Sequence, residues 1–155
     1  GVRNIFFGRT LAGKNYEILE KSKNEVYTPK KPHRIIMYYN KKIYELSPKK
    51  IPKDAVGTLD VSILQNSLLE KLGYTYQKLK SGKGIFYLHG DIPVTKIKEI
   101  TDKHKNAVGF SLYPVNVKEI EKVADICTKD EKTVMPPKST FFYPKPYSGL
   151  VSYKF

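Results

Sequence analysis

The chain has 155 residues, 40% of them apolar, which suits one domain (residues 1–155) with a proper hydrophobic core and argues against disorder. No apolar run is long enough to span a bilayer, and the opening GVRNIFFGRT lacks the long apolar stretch of a secretory signal, so a cytoplasmic location without membrane contact is expected. The 28 Lys plus Arg against 15 Asp plus Glu leave a formal net charge of +13, an excess that would attract polyanions.

Taken in order, the first part reads as short β segments. Residues 4–7 and 16–19 flank a turn-like 11–15 and are expected to form a hairpin. A polar connector over 21–32 follows, with Pro29 and Pro32 bracketing lysines. The clearest β element is a hairpin: 34–39 is apolar and aromatic, Asn40-Lys41 can turn, and 42–46 returns with Ile43, Tyr44 and Leu46. The next stretch, SPKKIPKD, reads as an exposed loop. Its Ser-x-x-Lys spacing is that of some acyl-transfer serine enzymes, but Pro48 gives no helix to bring Lys over Ser, and the partner motifs are missing.

A helix is expected from Asp60, with Val61, Leu64, Leu68 and Leu72 at helical spacing until Gly73 ends the run. Asp60 is suited to cap it. Asp60 and Ser62 also place a carboxylate and a hydroxyl at the helix mouth, where amides point outward, so a contribution to a site stands beside capping. After a polar connector over 74–83, 85–88 reads as a strand ending in His89-Gly90-Asp91. A helix over about 94–105 and a second strand over 107–113 then suggest a right-handed crossover between parallel strands, with His89 and Asp91 at a carboxyl end of the sheet. The final helix covers 116–127: Asn116 caps it, Glu119 reaches back as in a capping box, and Val115 can staple against Ile120. Residues 150–155 can close the sheet. The fold class is therefore α+β, with a mixed sheet and about three helices.

The segment 135–150, MPPKSTFFYPKPYSGL, follows neither the strand period nor the helix period. Lys138, Ser139 and Thr140 offer an ammonium, two hydroxyls and successive backbone N–H groups, the ingredients of a small anion site, and Lys145 adds a second cation. It is not a phosphate-binding loop of the Walker kind, because Pro136 and Pro137 remove donors where glycines are needed. The alternative is that Phe141, Phe142 and Tyr143 are a buried strand preceded by a polar KST. The expected ligand is small and anionic or phosphorylated, held by Lys138, Ser139, Thr140 and Lys145 with help from Asp60 and Ser62.

Cys127 stands alone, which excludes an intrachain disulfide, and His33, His89 and His104 lack metal-ligand spacing, so neither metal nor cofactor is expected. Twelve tyrosines beside the positive charge raise nucleic-acid binding as an alternative. Only Arg3, Arg9 and Arg34 are arginine, however, and the lysines are spread along the chain, which favours a solvated basic surface. A structural or interaction domain with no site of its own is the remaining alternative.

Three stretches, LDVSILQNSLLEKL, GFSLYPVNVKEIEKVAD and VMPPKSTFFYPKPYSGLV, resemble the C-terminal part of a prokaryotic family known as domain of unknown function 1015. The hairpin YYNKKIYEL resembles the segment before them, so the likeness covers about 34–151. Members of that family are considerably longer. The resemblance thus implies a C-terminal portion of a longer chain, with the upstream remainder as its partner, and the opening on Gly1 rather than Met fits that expectation. It brings no biochemical role. Some members carry a ParB-like label, but no matching motif is found in this sequence. The segment 73–85 lacks the acidic and arginine residues that the family pattern has after the LDVS helix, so no site role is assigned there.

Overall fold

The computed structural model describes residues 11–88, 92–127 and 129. A short helix α1 (Leu11–Asn15) leads into strand β1 (Tyr16–Lys21). Strands β2 (Ile35–Tyr39) and β3 (Lys42–Pro48) form the expected hairpin. Asn40 and Lys41 both take left-handed backbone angles, φ 48° and 63°, as a tight two-residue turn between right-twisted strands requires.

Helix α2 (Asp60–Leu64) runs on through a wider π segment (Gln65–Leu69) and a 3-10 turn (Glu70–Leu72). Gly73, at φ 85°, ends the run in the left-handed conformation that glycine adopts most easily. The widening falls where the Ile63 carbonyl is contested: it accepts from the Tyr16 and Ser67 hydroxyls. A carbonyl engaged by side chains competes with the regular ladder, a known origin of π turns. Helices α3 (Tyr76–Ser81) and α4 (Lys96–Asp102), strand β4 (Gly109–Ser111) and helix α5 (Val117–Cys127) complete the described part.

The four strands form one open sheet in the order β1-β3-β2-β4, and the fold is α+β. Alternation along the strands supplies two apolar faces. Ile35 and Met37 of β2, Tyr44 and Leu46 of β3 and Tyr16 of β1 pack under Ile63, Leu64 and Leu68 of the α2 run. On the other face Ile36, Tyr38 and Ile43 meet Val26, with Val94 and Ile97 packed against them. Strand β2 is therefore covered on both sides.

A mixed sheet was the expectation, but every described pairing is antiparallel, β4 included. The course of α4 explains this. The Tyr38 hydroxyl donates to the Asp102 carboxylate at 2.9 Å, so the helix ends beside the hairpin turn and the chain must run back along β2 in the opposite direction. Gly109 makes the close approach workable: a Cβ there would collide with Ile97 Cγ2 and lie 2.7 Å from Thr101 Oγ1. The expected crossover is absent because 85–88 forms no strand. Its side chains are spent elsewhere, with the Tyr87 hydroxyl donating to the Leu79 carbonyl at 3.2 Å and Phe86 stacking on His104.

Two further local expectations change. Residues 11–15 are helical rather than a turn, and among the described residues β1 pairs with β3. The polar stretch 74–83 contains α3, with Lys78 over the Tyr74 ring. The expectations on residues 4–7, on His89 and Asp91, on 135–150 and on 150–155 lie outside the described residues.

Candidate functional site

Asp60 was expected to cap α2. Leu59 occupies the cap position instead, in an extended conformation and without a side-chain cap bond, and Asp60 is the first helical residue. Its carboxylate turns away from the helix amides to a residue 27 positions upstream. Both oxygens accept the His33 backbone N–H at 3.0 Å, and Oδ1 also lies 2.9 Å from His33 Nδ1. An ionised carboxylate only accepts, so Nδ1 carries the proton in this contact. Asp60 is 8% exposed.

His33 is held on every side but one. It sits at φ 60°, a conformation uncommon for a residue with a side chain, which surrounding bonds must impose. Its N–H goes to Asp60, and its carbonyl accepts from Arg34 Nη1 at 3.0 Å. Arg34 is in turn drawn to Glu45 by a 3.7 Å contact. With Nδ1 spent on Asp60, the ring nitrogen Nε2 makes no hydrogen bond among the described residues.

The pair opens onto a surface depression walled by Pro32, Thr58, Tyr113 and Glu119. Glu119 arrives there through the expected capping box of α5: Asn116 N–H donates to Glu119 Oε2, and Glu119 N–H to Asn116 Oδ1, each at 2.9 Å. Burial pushes the Asp60 carboxyl up from the ordinary aspartate value. The bonds from His33 pull it back, and the Glu119 charge adds a smaller upward push. The depression therefore carries two carboxylates and one imidazole.

Ser62, the other helix-mouth residue singled out, does not line the depression. It is 2% exposed and its hydroxyl has no hydrogen-bond partner among the described residues; Gln65 Oε1, one turn on, shares that condition. Lys138, Ser139, Thr140 and Lys145 lie outside the described residues. Among the described residues no group of three or more His, Cys, Asp or Glu side chains is placed to hold a metal ion. No helix among them is long and apolar enough to cross a membrane.

No family model, no curated protein and no solved structure matches the chain. The functional reading rests on residues and geometry. The participant that sequence reasoning missed is His33, noted only as one of three scattered histidines. No local signal marks it, since its partnership with Asp60 spans 27 positions and is closed by the tertiary fold.

Proposed function

We propose that the chain carries a small-molecule site for an anionic or phosphorylated ligand, at the mouth of α2. The observation that supports this reading is the His33–Asp60 pair: a buried carboxylate committed to one imidazole, both residues lining a surface depression. In this reading Lys138, Ser139, Thr140 and Lys145 supply the cations, hydroxyls and amides that hold the anionic group. Asp60 and Glu119 would repel that group, so the ligand turns its uncharged, hydroxyl-bearing end to the depression. There His33 Nε2 and the carboxylates offer both acceptors and, on a protonated imidazole, a donor. Ser62 takes part only if its buried hydroxyl turns toward the ligand.

A melting assay tests the proposal. Phosphate-bearing metabolites should raise the melting temperature of the wild type, since a ligand that binds only the folded state stabilises it by mass action. Lys138→Ala should abolish the rise while leaving unliganded stability within roughly 1 kcal/mol. If no phosphorylated compound shifts the wild type, or if Lys138→Ala unfolds the chain, the stretch around MPPKST is structural and the proposal fails.

A further inference from the structure

The sheet gathers lysines at one end that look dispersed in sequence. In the antiparallel register Tyr16 of β1 lies opposite Pro48 of β3, and Leu46 of β3 lies opposite Ile35 of β2. The start of β1, the end of β3 and the start of β2 therefore share one end, and the segments attached there carry lysine. Lys14 precedes β1, Lys49, Lys50 and Lys53 follow β3, and Lys30 and Lys31 precede β2. All six are exposed. None forms an ion pair among the described residues, and only Lys49 has a partner of its own, the Gly13 carbonyl at 2.8 Å. The opposite, turn-bearing end differs: Lys42 is paired with Glu20, and Lys103 with Glu99.

Because β1, β3 and β2 are neighbours in that order, the segments that carry these lysines leave the sheet side by side, as a row of three lysine-bearing segments. The row ends toward β4, where Asp60 and Glu119 make the depression acidic. We infer that this row is a docking surface for the phosphate backbone of a nucleic acid, which runs along the β1-β3-β2 end of the sheet. Lysine supplies point charges without the fork that reads base edges, so the contact is independent of base sequence. A line of charges matches a linear polyanion better than a flat membrane surface. Within the row Ile51 is the one large apolar side chain left exposed, which gives little to insert into lipid. The inference stands apart from the small-molecule site, since it uses none of the residues proposed there.

The test compares two triple variants with equal loss of charge, using the full 155-residue chain. Lys30→Gln, Lys50→Gln and Lys53→Gln thin the row. Lys41→Asn, Lys103→Gln and Lys105→Gln remove the same charge near the hairpin turn and the end of α4. A labelled single-stranded oligonucleotide of mixed sequence is titrated at several salt concentrations. Circular dichroism and melting confirm that all three proteins are folded. The row variant should bind at least tenfold more weakly at low salt, and its plot of log affinity against log salt should be shallower by about 2, each phosphate contact contributing about 0.7. The turn-end variant should stay within about threefold of the wild type, while vesicles with and without anionic phospholipid should bind all three alike. Equal losses in the two variants would mean net charge alone. That result, no binding by the wild type at low salt, or lysine-row-dependent binding to anionic vesicles but not to the oligonucleotide would each overturn the inference.

Discussion

The β2–β3 hairpin and the head of α2 lie against each other, yet they are built on opposite terms. In the hairpin most levels agree: β-branched and aromatic residues, two-residue alternation, and buried side chains that leave no polar atom without a partner among the described residues. Ile35, Ile36, Met37 and Tyr38 are at most 1% exposed. At the head of α2 the levels conflict. A carboxylate, a hydroxyl and an amide are buried within two turns, a histidine is held at positive φ, and two polar atoms have no partner among the described residues. A chain normally avoids such a combination, because a buried polar group without a partner keeps the full cost of its desolvation. Conflict of this kind concentrates at functional sites, and here it coincides with a surface depression lined by Asp60, one of the expected site residues.

The comparison breaks most easily at the hairpin. Leu46 is fully buried between Ile35 and Ile18 in the register. Leu46→Ala should cost about 3 kcal/mol through lost burial and the cavity left behind, read as a drop in the denaturant midpoint with an unchanged slope. A loss below about 1 kcal/mol would show that the sheet centre is loosely packed and that the contrast drawn above is false.

Ser62 sharpens the other side. Its hydroxyl is buried without a partner among the described residues, so Ser62→Ala should leave stability unchanged or raise it by about 1 kcal/mol, an outcome opposite to that of most buried substitutions. Thermal unfolding of the unliganded chain decides it. A clear loss of stability would mean that the hydroxyl is bonded and that the head of α2 is an ordinary satisfied core. If the substitution also removes the melting shift produced by a phosphate-bearing ligand, Ser62 belongs to the site after all.

The same contrast explains what could be read from the sequence. The hairpin, the helix ending at Gly73 and the capping box of Asn116 and Glu119 are local devices, and their signals lie within a few residues of each other. The antiparallel placement of β4 was not legible, because it depends on where α4 ends against Tyr38, a contact 64 positions apart. The apolar run at 85–88 was misread as a strand for a related reason: its side chains are engaged by distant partners, Tyr87 donating to the Leu79 carbonyl of α3 and Phe86 stacking on His104. At the site, Asp60 was legible as a polar residue at a helix start, and capping was the natural expectation for it. Nothing nearby in the chain reveals that its carboxylate goes to His33.

The smallest expected effect is also the one that separates two accounts of Asp60. Burial is the largest influence on its carboxyl and raises the folded-state pKa above the ordinary value, while the His33 bonds act the other way. For a group whose folded pKa is raised, the stabilising contribution is complete below the unfolded value and is lost as pH rises through the folded value. Wild type should therefore lose stability relative to Asp60→Asn as pH climbs upward from the ordinary aspartate value. The measurement is the difference in unfolding free energy between the two proteins across that range, so that titrations common to both cancel. If the wild type instead gains on the variant as pH rises, the His33 bonds outweigh burial and the pair is a salt bridge that clamps the turn at residue 33 to α2. A falling difference leaves a carboxylate that the fold holds in an unfavourable charged state, which a chain has reason to keep only where the ionised group is used.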